Sequence, residues 1–145
     1  MTTPQKNRFQ MNTLLLVSLA LFVLACAMPA LEFKNSKGVH DVMLGLRALV
    51  VGWSGVFAAV MAWYANPFYL LGVVLAYFRQ PMLAALAGLV VIAIAVTVFS
   101  VVGRELPGDE GNVTKTTVIK LLPGCYVWLT SMILLPIAAL VQKLT

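Results

Sequence analysis

Charge is what this chain has least of. Of its 145 residues only 10% are charged, ten basic and five acidic, whereas a soluble domain carries roughly 25% because a folded globule needs a solvated surface. So few charges cannot cover a water-soluble particle of this size. With 61% hydrophobic residues and a mean hydropathy of +0.96, the surplus apolar surface is expected to face lipid. Histidine is nearly missing too. His40 stands alone, which excludes two-histidine haem ligation, and there is no HExxH pattern or histidine box. The two cysteines, Cys26 and Cys125, lie far apart in apolar runs with no CxxC and no Cys/His pair at metal-ligand spacing, so neither metal nor cofactor is expected. The net charge of +5 comes from scattered single cations. Without a Lys/Arg block or a basic–aromatic stripe, nucleic-acid binding is excluded as a working hypothesis. No internal repeat is visible, which argues against an inverted-repeat transporter.

What the chain does have is length in its apolar runs. About 20 apolar residues at 1.5 Å rise cross roughly 30 Å of hydrocarbon. Four stretches meet that length: residues 11–31, 42–64, 82–103 and 117–141. Between the second and third, the stretch "NPFYLLGVVLAYFRQP" starts at Asn66-Pro67 and stops at Arg79-Gln80-Pro81. Asparagine caps a helix and proline suits its first turn, so a separate short helix is expected over 67–79, as a half-span or re-entrant element. The expected fold is therefore a single all-α membrane domain, a bundle of four transmembrane helices plus that short helix, with five spans as the alternative. The polar stretches 32–41 and 104–116 read as loops.

"VLAC" before Cys26 also fits a bacterial lipoprotein cleavage site. The apolar run continues past it through "AMPAL", longer than a signal-peptide core of about 7–15 residues, so an uncleaved helix is preferred. In the four-span arrangement Cys26 and Cys125 share a leaflet, where a disulfide is conceivable but not favoured. Lys and Arg counts on the two sides give no clear vote. The basic N-terminal flank at Lys6 and Arg8 favours a cytoplasmic N-terminus in a cell membrane, the bacterial inner membrane being the natural setting.

Intramembrane ionisable residues usually mark proton relays or ligand sites, and these runs hold no Asp, Glu or His away from their ends. Ser36, His40 and Asp41 cluster in a loop that offers no oxyanion hole, so no enzyme is expected. Arg47 is the one charge that enters a run beyond its first turn, Lys120 lying in the first turn of the fourth. Arg47 suits snorkelling or an ion pair, or an anion or lipid-headgroup site with His40. Small residues at four-residue spacing form candidate packing faces: Ala48 with Gly52, Ser54 with Ala58 and Ala62, Gly55 with Ala59, and Ala84 with Gly88. Pro123 and Pro136 are candidate kinks around Trp128, where a cavity could form. The function expected from these features is non-catalytic: an accessory or assembly subunit, or an immunity-type partner, that contacts membrane lipids and a protein partner or second copy. The alternative is a small oligomeric channel or transporter, not proton-coupled, whose polar path would use Ser54, Asn66, Thr97, Ser100, Thr130 and Ser131.

Overall fold

The structure, a computed structural model, describes residues 13–58, 60–107 and 114–144, with the side chains of 56–58 left aside. In chain order they form α1 (Thr13–Ala27), β1 (Pro29–Asn35), β2 (His40–Leu44), α2 (Gly45–Val51), two 3-10 helices (Gly52–Ala58 and Ala62–Tyr64) and α3 (Ala65–Tyr77). Then come α4 (Pro81–Ala95) running on as a 3-10 helix (Val96–Val101), β3 (Glu105–Pro107), β4 (Lys115–Leu121) and α5 (Pro123–Leu144). The strands make one antiparallel sheet in the order β2-β1-β4-β3.

That sheet overturns the all-α expectation, and helix length overturns both the four-span bundle and its five-span alternative. Among the described residues two helices are long and apolar enough to cross a membrane: Pro81–Val101, with 21 residues, and α5, with 22. The described part of α1 has 15 residues and α3 has 13, about 22 and 20 Å at the standard rise, short of the roughly 30 Å a bilayer core requires.

Each correction has a local cause. The first apolar run breaks at Pro29, which lacks a helix N–H and pushes Met28 toward extended backbone; α1 ends at Ala27 and the rest of the run becomes β1. The stretch 32–41 is a hairpin rather than a loop. Asn35 Oδ1 accepts the amides of Lys37 and Val39 at 2.9 Å each, and Gly38 takes the positive φ (+80°) that the turn needs. The fourth run opens with Thr117-Val118-Ile119, β-branched residues that favour a strand, and only Pro123 starts the helix. The second run splits into β2, α2 and two 3-10 helices, because at Gly52 the Trp63 indole takes the place a side chain would occupy.

All junctions between sheet and helices fall at one end of the helical layer. Gly45 donates to Met28 O at 2.9 Å, Leu122 to Ala30 O at 2.9 Å, and Gly103 to Val118 O at 2.8 Å, so the sheet caps that end. The sheet's inner face presents Phe33 and Val118, packed with Val101 and flanked by Leu31, Met43 and Leu106. A bulge between Glu32 and Phe33 pairs Glu32 with Lys120 and Phe33 with Val118. Ile119 is the extra residue, which keeps Val118 inward while Lys120 points out.

Below the sheet α1, α3, α4 and α5 share one core. Ser18 Oγ donates to Ser131 O at 2.8 Å and lies 2.7 Å from Tyr69 OH. With the serine hydrogen already used, the tyrosine hydroxyl is the donor in that second bond. Phe22 stacks on the Tyr69 ring at 4.9 Å. Gly88 of α4 sits against the Pro136 ring of α5, leaving no room for a Cβ. α5 runs unbroken through Pro136.

Candidate functional site

Between the inner face of the sheet and the ends of the helices lies a half-open chamber of about 1220 Å³, larger than the roughly 300–1,000 Å³ typical of small-molecule sites. Leu31, Phe33 and Met43 roof it. Phe22, Ala25 and Cys26 of α1 form one wall, and Cys125 and Trp128 of α5 another. The third wall is α2 and the two 3-10 helices that follow it, which contribute Ala48, Leu49, Gly52, Gly55, Ala62 and Trp63. Several polar groups of this segment find partners within the chain. Trp63 Nε1 donates to Leu49 O at 2.7 Å, Tyr64 OH to Trp53 O at 3.1 Å, Ser54 Oγ to Val51 O at 2.8 Å, and the Val60 amide to Gly55 O at 2.8 Å.

The chamber has one polar node. Asn66, 6% exposed, accepts from Trp128 Nε1 at 2.8 Å and donates from Nδ2 to Trp63 O at 2.8 Å. One amide thus ties α5, α3 and the third wall together. Among the described residues no buried side-chain nitrogen or oxygen lacks a hydrogen-bond partner. The charged groups of the chamber, Lys37, Asp41 and Arg47, are all exposed and mark its rim. Besides the Asn66–tryptophan node, the uncharged polar side chains of the lining are Asn35, Ser36, Ser54, Thr114 and Thr116, and the rest is mainly apolar, suited to receiving a largely apolar body.

The sequence candidates are distributed around this chamber. Arg47 lies on α2 at the rim, 3.9 Å from Asp41. His40, on β2, instead bonds Glu32 at 2.9 Å, so the two residues paired in the sequence reading engage different acids. Glu32 also meets Lys120 Nζ at 3.0 Å. The His40 and Lys120 hydrogen bonds hold the Glu32 carboxyl below its ordinary range. Ala48, Gly52, Ser54, Gly55 and Ala62 line the chamber; the Ala58 side chain and Ala59 lie outside the described residues. Ala84 is fully buried, and Gly88 is closed off by Pro136. Pro123 opens α5 rather than lying within it, and Trp128 stands in the chamber wall. Cys26 and Cys125 both line the chamber as free thiols.

Of the polar-path residues, Thr97, Ser100, Thr130 and Ser131 each donate to a carbonyl three or four residues back, at 2.6–2.9 Å, the usual fate of helix hydroxyls. Sequence reasoning missed Trp63 and the role of Asn66. Asn66 was read as a helix cap, but α3 begins one residue earlier and its cap position, Tyr64, makes no side-chain bond. The signal that was there is the pairing of a mid-run Gly52 with Trp63, an indole whose N–H must find an acceptor. No family model, curated protein or solved structure matches this chain.

Proposed function

We propose that this protein is a non-catalytic, membrane-inserted binding protein, an accessory component whose sheet-capped chamber takes up the apolar tail of a membrane lipid. The observation that carries this reading is the chamber itself: large, mainly apolar within and charged only at its rim. Membrane insertion is supported by what the helices leave uncovered. Over the apolar window of Pro81–Val101 only 33% is buried, and Leu83, Leu86 and Leu89 all face outward. A core helix of a water-soluble protein would bury most of that surface. Exposed aromatics flank the helical layer, with Trp53, Phe99 and Tyr126 toward the sheet and Tyr77 and Phe78 at the far turn, as an interfacial belt would.

In the orientation we favour, the sheet stands outside the cell membrane. The opposite end, with Arg79, Lys143 and the start of α1, then faces the cytoplasm. Among the described residues Glu32, Asp41 and Glu105 all belong to the sheet end, but acids count little in the positive-inside rule. Lys and Arg number six at that end against two at the other. The orientation therefore draws on the basic start of the sequence at Lys6 and Arg8 alone. Contact with a protein partner or second copy has less support, because Ala84 and Gly88 are engaged within the chain. The channel alternative has less support too, since the helix hydroxyls bond their own helices.

The test uses tryptophan emission. In a Trp53→Phe variant reconstituted in bilayers, Trp63 and Trp128 remain in the chamber wall. Phospholipids brominated along their tails should quench them, and aqueous iodide should not. Emission open to iodide and indifferent to the brominated tails would overturn the proposal.

A further inference from the structure

The rim of the chamber carries Lys37 from the β1–β2 turn and Arg47 from α2, with Asp41 as its acid. Asp41 approaches Arg47 at 3.9 Å with both side chains largely exposed, too loose a pair to neutralise the arginine. Lys37 has its backbone amide fixed by Asn35 Oδ1, so the turn presents the ammonium while keeping its own shape. The rim therefore holds one net positive charge above a mainly apolar interior. Arg47 stands two residues beyond Gly45, where α2 meets the sheet, the depth at which lipid phosphates lie when the two long helices cross a bilayer, and Lys37 extends the rim along the hairpin.

We propose that the chamber selects an anionic phospholipid, with its phosphate against Lys37 and Arg47 and its acyl chain reaching inward toward the Asn66–Trp128 node. This rests on the lipid-tail reading above and adds the headgroup class. His40 takes no part, because its ring is engaged by Glu32 on the sheet. Arginine suits the phosphate as a planar fork, and lysine as a movable point charge. One basic residue near a membrane surface changes anionic-lipid affinity by roughly fivefold. The rim's single net charge thus predicts a preference of about that size.

The experiment is native mass spectrometry of the full chain released from nanodiscs of equal phosphatidylglycerol and phosphatidylcholine. Wild type should retain phosphatidylglycerol roughly fivefold over phosphatidylcholine. A Lys37→Gln/Arg47→Gln variant, whose rim keeps only the charge of Asp41, should turn the preference toward phosphatidylcholine, and Lys37→Arg should keep the wild-type preference. Equal retention of the two lipids by wild type would overturn the headgroup assignment and leave the chamber's tail binding standing. No retained lipid at all would overturn the tail reading itself. Glycerol phosphate added without any acyl chain should not bind; its stable capture at Lys37 and Arg47 would show a free-anion site and overturn the proposal.

Discussion

Replacing Gly88 by alanine should destabilise the protein, against the usual direction of that change in a helix. At an ordinary helical site alanine is favoured over glycine by about 1 kcal/mol. Here the new Cβ would lie 2.7 Å from Pro136 Cδ, 2.8 Å from its Cβ and 2.9 Å from its nitrogen, against about 3.5–4.0 Å for relaxed carbon contacts. The opposing group is a ring fused to helix backbone, with no rotamer to swing away, so α4 and α5 must separate. Overpacking costs about 1–3 kcal/mol. Three contacts to a rigid ring imply the upper end of that range. Set against the propensity gain of about 1 kcal/mol, this leaves a net loss of up to about 2 kcal/mol, seen as a fall of up to roughly 8 °C in the unfolding midpoint. Circular dichroism during heating in mild detergent reads this directly. Gly72→Ala is the control: its nearest neighbour is Leu135 Cδ2 at 2.6 Å, the far end of a side chain that can turn aside, so it should be nearly neutral. In a double-mutant cycle, Pro136→Ala should relieve the Gly88→Ala cost. A Gly88→Ala protein as stable as wild type, or more so, would refute the close α4–α5 contact.

Asn66→Leu should cost about 1–3 kcal/mol, because it leaves the Trp128 indole N–H without a partner, while the Trp63 carbonyl keeps the Ala65 amide; denaturation followed by tryptophan emission would measure it. Ser18→Ala should be more damaging than Tyr69→Phe. The first strands a buried tyrosine hydroxyl, whereas the second leaves Ser18 still bonded to Ser131 O, so melting midpoints should rank Ser18→Ala below Tyr69→Phe. Glu32 gives a pH signature. Its carboxyl is held below its ordinary value by His40 and Lys120, so its stabilisation is present at neutral pH and lost as pH falls from the ordinary carboxylate range through the lowered folded value. Glu32→Gln should therefore lose stability at neutral pH and show a flatter acid limb in pH-dependent melting.

The two long helices were legible in the sequence as apolar runs, and Pro81 marks the start of the first; Pro123 opens α5, although the run 117–141 placed it inside the helix as a kink. The short helix of residues 67–79 falls on α3 for a similar reason, its Asn-Pro start. The sheet was hidden by hydropathy. A window that counts apolar residues cannot distinguish "AMPALEF" or "TTVIKLL" in a strand from the same residues in a helix, although Pro29 and the β-branched run 116–119 carried the distinction. The 42–64 run misled for a different reason. Its small residues recur at helical spacing, yet Gly52 makes room for an indole of the same chain rather than for a neighbouring helix. The chamber follows from that fold-back and from the sheet above it, so no single stretch announced it. Asn66 and Arg47 were noticed as individual residues; that Asn66 joins three elements depends on contacts across 62 positions of chain.

The account stands or falls on whether a lipid tail enters the chamber. The most direct measurement is photo-crosslinking with a phosphatidylglycerol that carries a diazirine along one tail, in bilayers containing the full chain, with adducts mapped by peptide mass spectrometry. The account predicts adducts on the chamber wall at Ala62, Cys125 and Trp128, reduced by Ala48→Trp, which fills the space from α2. Adducts confined to the outward face of α4 at Leu83, Leu86 and Leu89, with the chamber wall unlabelled, would contradict it.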